Sequence, residues 1–207
     1  MKKLFFICLL AILPTSLVRA ELNVGDEVPS FQVGAWYNLP STMKKLSPKD
    51  LKGQIIVVQF WTVWDGASDK ILPLLTRIHD KYKSKGVVLV AISEDGKSRV
   101  EPFIEKERVN FVTASEGRES FKSYGVTEVP TAYLVDSENK LVWKGHTAVL
   151  EAELEKLLKD KPAKGGGIFS EKSAASAFKN ADKLDRQKRY VDAVSYTHLT
   201  LPTICSV

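Results

Sequence analysis

Two seven-residue apolar runs, Ile55-Ile-Val-Val-Gln-Phe-Trp61 and Val87-Val-Leu-Val-Ala-Ile-Ser93, constrain this chain more than any other feature. A strand that is apolar at successive positions must be covered on both faces, so each run is expected as a central, buried strand. Between them, Ser68 to Lys85 places Ile71, Leu74, Leu75 and Ile78 at helical spacing, with Gly86 as the closing C-cap. Val100 to Glu107 and Glu116 to Tyr124 predict two more helices. Thr131 to Asp136 and Leu141 to Gly145 predict strands joined by a hairpin turn over Ser137 to Lys140, and Leu150 to Leu158 a final helix. The order is strand, strand, helix, strand, helix, strand, helix, strand, strand, helix. That alternation makes an α/β domain, a mixed central sheet flanked by helices, over residues 21–160.

The ends of the chain differ in character from this domain. Lys2 and Lys3 precede an apolar run from Leu4 to Leu13, followed by Pro14 and a Val18-Arg19-Ala20 end that suits a signal peptidase. Residues 1–20 are read as a secretory signal, with an uncleaved anchor as the other reading. The run is about half the roughly 20 apolar residues a membrane span needs, so no stable span is expected after cleavage. Cys8 lies inside the run, after Phe6 and Ile7, which does not suit a lipoprotein signal.

Downstream, residues 161–169 read as a linker, because Pro162 stops a helix and Gly165 to Gly167 add flexibility. From Ser170 a helical segment runs to residue 193, with Ala174, Ala177 or Phe178, Ala181 and Leu184 at helical spacing. Leu184 to Ala193 resembles the end of the first helix and the turn of a tetratricopeptide repeat, and an ordinary amphipathic helix is the alternative. The last fourteen residues, Val194 to Val207, contain no Lys, Arg, Asp or Glu and resemble the translation of a sequencing-library adapter. They are therefore set aside as non-native, together with His198 and Cys205. The mature sequence then holds no cysteine.

Charge excludes one class of partner. Lysine and arginine number 30 against 25 acidic residues; removing Lys2, Lys3 and Arg19 with the signal leaves 27 against 25, about +2. Nothing in that balance calls for nucleic acid. His79, mid-helix, and His146, after a strand, have no cysteine or second histidine at ligand spacing, so neither a metal site nor a cofactor is expected. Glu94-Asp95 after the second apolar run and the lysines between Lys81 and Lys85 are read as solvated surface.

Five segments together carry a family resemblance: Val24-Gly-Asp-Glu-Val-Pro-Ser-Phe31, Leu51-Lys-Gly53, Val58-Gln-Phe-Trp61, Tyr124-Gly-Val-Thr-Glu-Val-Pro130-Thr and Tyr133-Leu-Val-Asp-Ser-Glu-Asn-Lys140. In this order they resemble the exported thiol-disulfide oxidoreductases of the TlpA-like and redoxin (AhpC/TSA-like) type, which implies a thioredoxin-like fold. In that family the segment after the Phe-Trp strand reads Trp-x-x-Trp-Cys-Pro-Pro-Cys. Here it reads Trp61-Thr-Val-Trp64-Asp65-Gly66-Ala67-Ser68, so Asp65 stands at the attacking cysteine and Ser68 at the resolving one. The resemblance also implies that Pro130 follows a cis peptide facing this motif and presents the Val129 backbone to an extended substrate. Gln59 stands where many thioredoxins hold a buried acid, although TlpA-like relatives also lack it.

Disulfide exchange needs one thiolate to attack sulfur and a second thiol to release the mixed disulfide, and neither a carboxylate nor a hydroxyl does this. No catalytic residue is therefore assigned. Asp65 is expected as the helix N-cap, with a ligand-contacting anion as the other reading. Trp61 is expected in the core and Trp64 as an exposed contact. Asp65 with Ser68 lacks a histidine that the sequence would place beside it, so no triad is argued. The leading expectation is a binding or scaffold module in which Trp64, Asp65, Gly66, Ala67, Ser68, Val129 and Pro130 hold an extended peptide or protein partner. The alternatives are an oxidoreductase drawing on cysteines outside this fragment and a purely structural domain.

Overall fold

The computed structural model of this protein describes residues 22–164, except for the side chains of Ser68 and Asp69. The signal, most of the linker, the segment 170–193 and the tail 194–207 therefore lie outside the described residues, as do Cys8 and Cys205.

Six strands form one sheet in the order β1-β4-β3-β2-β5-β6. They are β1 (Ala35–Tyr37), β2 (Ile55–Trp61), β3 (Val87–Ser93), β4 (Val112–Ser115), β5 (Thr131–Val135) and β6 (Leu141–His146). Among the described residues there are four α-helices: α1 (Gly66–Tyr82), α2 (Lys97–Glu107), α3 (Arg118–Tyr124) and α4 (Leu150–Asp160). β2 and β3 are parallel and in register from Ile55 opposite Val87 to Trp61 opposite Ser93, while β5 runs antiparallel on the other side of β2. The mixed sheet expected from the two apolar runs is thus centred on them, and both are buried at all seven positions.

Alternation along β2 divides its side chains between two cores. Ile55, Val57 and Trp61 pack with Ile71, Leu75, Ile78 and Tyr82 of α1, Val100 and Ile104 of α2, and Leu150, Leu154 and Leu157 of α4. Ile56, Val58 and Phe60 pack on the opposite face with Phe121 and Tyr124 of α3 and with Leu22, Phe31, Leu46 and Leu51 of the N-terminal segment. Each such side chain stabilises the fold by roughly 1.5–3 kcal/mol, so both layers are substantial.

Element boundaries differ from expectation where a local hydrogen bond overrides periodicity. α1 begins at Gly66, two residues before Ser68, because Asp65 caps it; it ends at Tyr82, and a 3-10 turn over Lys83–Lys85 leads to Gly86 at φ 79°. α2 begins at Lys97 rather than Val100. α3 starts at Arg118 rather than Glu116, since Glu116 takes a left-handed φ of 58° and its N–H donates to Asp95 O at 2.8 Å. β5 stops at Val135 because Asp136 leaves the ladder to cap the turn, its Oδ1 accepting the N–H of Glu138 at 2.9 Å and of Lys140 at 3.1 Å. Residues 161–164, expected within the linker, are tied down at that same end of the sheet. Lys164 N–H donates to Gly53 O at 2.8 Å, and Lys161 Nζ lies 3.1 Å from buried Asp136.

Candidate functional site

The C-terminal ends of β2, β3 and β4 and the N-terminal end of β5 lie at the opposite end of the sheet, and the site is built from the loops they feed. After β2 the chain runs through Thr62, Val63 and Trp64 into α1. Asp65 is extended (φ −87°, ψ 113°), and its Oδ1 accepts the N–H of Ala67 at 3.0 Å. This satisfies one of the free donors of the first turn, the N-cap role expected of it, and leaves a carboxylate at the positive end of a 17-residue helix.

Trp64 precedes this cap and is 68% exposed, whereas Trp61, three residues earlier, is buried against Phe103. Leaving that much indole in water forgoes on the order of 3 kcal/mol of burial, a cost more common at contact surfaces than elsewhere.

A groove of about 730 Å³ opens beside Trp64. Trp64 and Asp65 form one side and Glu94 joins them from the loop after β3. Arg118, Phe121 and Lys122 of α3, with the loop Gly125–Val129, form the other. The Val129–Pro130 peptide is cis. Pro130 itself, expected among the groove residues, is buried and does not line the groove. Of the residues singled out from sequence, Trp64, Asp65 and Val129 line the groove together. Gly66 and Ala67 begin α1 and do not line it, and the side chain of Ser68 lies outside what the structure describes. The α3 wall was not anticipated, because its residues are distant in sequence from Trp64 and read locally as an ordinary charged helix.

In the middle of β2, Gln59 is wholly buried and fully engaged. Its Nε2 donates to Phe60 O at 2.9 Å and Thr131 O at 3.2 Å, and its Oε1 accepts the Thr147 hydroxyl at 2.9 Å. Thr131 Oγ1 in turn donates to Glu128 O at 2.8 Å, which ties the groove loop to the start of β5. A polar side chain facing the α1 core is thereby satisfied by partners from β5 and the 3-10 turn Thr147–Val149.

Asp95 corrects the expectation of a solvated loop. It is 8% exposed, and its carboxylate binds backbone and side chain of neighbouring elements. Glu94 beside it is half-buried and reaches the groove.

His79 and His146 stand apart. Nδ1 of His79 is buried without a hydrogen-bond partner, and its pKa is lowered below 6.5, first by burial and then by Lys83. His146 Nδ1 accepts the N–H of Ala148. Among the described residues no group of three or more His, Cys, Asp or Glu is arranged to hold a metal, and no helix is long and apolar enough to cross a membrane.

Comparison with known proteins agrees with this architecture. The model of the AhpC/TSA family matches residues 24–144. The chain is 30% identical over 141 residues to the thiol-disulfide oxidoreductase ResA of Bacillus thuringiensis subsp. konkukian (strain 97-27), covering 67% of this chain and 79% of that protein. Against ResA of Bacillus subtilis (strain 168) it is 28% identical over 126 residues, 60% of this chain and 68% of the relative. Among solved structures it is similar to the thioredoxin domain of a thiol-disulfide oxidoreductase from Bacteroides vulgatus (TM-score 0.57, 24% identity, 66% of this chain and 99% of that one). A thiol:disulfide interchange protein from a Bacteroides species gives TM-score 0.57 at 24% identity, covering 67% of this chain and 91% of that one. These structures show that the fold is thioredoxin-like.

Proposed function

Starting from a chain that belongs to the AhpC/TSA family, we propose that this thioredoxin-like domain holds an extended peptide or protein segment in its groove and performs no dithiol chemistry of its own. The observation that carries the reading is one of chemistry and shape together. A groove of about 730 Å³ with a largely exposed Trp64 lies where α1 begins, yet the residue capping that helix is Asp65, and residues 22–164 contain no sulfur nucleophile. A carboxylate there can accept hydrogen bonds from a bound backbone or side chain. It forms no bond to sulfur, so neither half of an exchange reaction can run through it. Export across a membrane is part of the proposal, supported by the N-terminal segment and by the resemblance to exported relatives.

The experiment follows from the two replaced positions. The native chain is expected to leave insulin disulfides intact in the presence of dithiothreitol above the background rate, and Asp65→Cys combined with Ser68→Cys to gain turnover. Turnover by the native chain would overturn the proposal. The names of the relatives favour a second reading, an oxidoreductase that uses thiols elsewhere in the protein. Insulin reduction that depended on a cysteine outside residues 22–164 would establish it.

A further inference from the structure

Asp95 sits at the head of β3 with a buried carboxylate and a set of partners drawn from three strand ends. Its Oδ2 accepts the N–H of Val63 at 2.7 Å and the hydroxyl of Ser93 at 3.0 Å. The same hydroxyl oxygen accepts the N–H of Asp95 at 3.1 Å, so acid and serine hold each other. Asp95 O accepts the N–H of Glu116 at 2.8 Å, and Ser93 O accepts that of Gly117 at 2.8 Å, which binds the loop after β4 to the same point. Arg99 Nη1 lies 3.6 Å from Oδ1.

Val63 belongs to neither β2 nor α1, so neither ladder engages its N–H; a carboxylate satisfies that donor with a charge-assisted bond. Trp64 is the next residue. With 68% of its surface in solvent it takes little of its orientation from packing, and its direction follows from the backbone on either side. That backbone is fixed at Val63 by Asp95 and at Asp65 by the helix cap.

We propose that Asp95 is the positioning residue of the groove: it clamps the loop Thr62–Asp65 so that Trp64 and Asp65 are presented in the arrangement that accepts an extended peptide. This rests on the peptide-binding reading of the groove but adds a residue outside its lining, and the two can fail separately.

The test uses the full chain and carboxymethylated insulin B chain as the probe. Affinity is read by anisotropy of the labelled probe, and the Val63 amide by hydrogen exchange. Asp95→Ala is expected to weaken binding about 10- to 100-fold, the range for a lost hydrogen bond to a charged group, and to speed Val63 exchange while amides in the middle of β2 stay protected. Asp95→Asn keeps an acceptor for the Val63 N–H and should recover affinity to within a few-fold. If Asp95→Ala does not fold, Ser93→Ala, which removes the hydroxyl holding the carboxylate, should give a smaller change of the same kind. Asp136→Asn is the control, since it perturbs a buried carboxylate at the far end of the sheet and should leave probe affinity unchanged. Equal loss in the Asp95 and Asp136 variants, or no loss in Asp95→Ala, would overturn the proposal. If the native chain does not bind the probe, the groove reading falls. The clamp then stands only if Val63 exchange still rises in Asp95→Ala, and it too is overturned if exchange is unchanged.

Discussion

Asp65 has two physical consequences that pull in the same direction. Its oxygen satisfies a donor of the first turn of α1, and its charge is favoured by the helix dipole, so the residue stabilises the helix without any partner in the groove. Asp65→Ala should lower the unfolding free energy by about 1 kcal/mol and Asp65→Asn by much less, because asparagine is an equally good cap; urea titration of both variants measures the difference. The cap was legible in the sequence because it depends on residue type and on the helical pattern that follows it. Asp95 was not. Nothing in Glu94-Asp95-Gly96 distinguishes a carboxylate turned inward onto Val63 from one turned to water, since the backbone N–H it accepts lies thirty-two residues earlier, in the loop after β2.

At the scale of elements, β2 does most to connect fold and site. Six of its seven side chains are apolar, and the seventh, Gln59, would be costly in the core if it were not bound at both ends of its amide. Thr147→Val keeps the shape of the side chain but leaves Gln59 Oε1 without its donor, and should cost about 1–3 kcal/mol by chemical denaturation. The order of strands and helices could be read from periodicity, since burial on two faces and on one leave different patterns. Helix starts were less accessible. α3 begins late because the Glu116 amide is spent on Asp95 in the loop after β3 and the Gly117 amide on Ser93 at the end of β3, and Gly117 fits there only without a Cβ, which would stand 2.4 Å from Ile92 Cγ2. The groove has the same limit, because its second wall is created when α3 comes to rest across from Trp64.

Across the whole molecule, charge is organised differently from packing. α1 and α4 are cross-linked on their outer faces by Arg77, Lys81, Tyr82, Glu151 and Glu155, with Lys81 Nζ 3.0 Å from both glutamates. Exposed pairs of this kind add little each. Their protonation nevertheless shapes the pH response. The Lys81 hydrogen bond holds Glu151 below its ordinary 4.5, and hydrogen bonds from Tyr82 and then Lys81 do the same for Glu155. For Asp136, burial pushes upward but is outweighed by the backbone N–H groups of Lys140 and Glu138 and by Lys161, so it falls below 3.8. These carboxylates lend stability that is complete above their unfolded values and disappears as pH falls through the folded ones.

His79 acts earlier. Burial depresses its pKa, so the unfolded chain takes up a proton at about 6.5 before the folded one does, and stability declines as pH falls below that point. Urea midpoints measured from pH 8 to pH 3 should therefore decline in two stages, and His79→Leu should remove the first while sparing the second.

The stitch between Lys164 and Gly53 has a practical corollary for anything joined beyond it. From that point the central strand β2 runs seven residues before it reaches the groove, about 23 Å at 3.3 Å per residue. Lys164 thus lies at the pole of the sheet opposite the groove, and a fusion partner or an immobilisation handle joined directly at that residue would be attached about 23 Å from it.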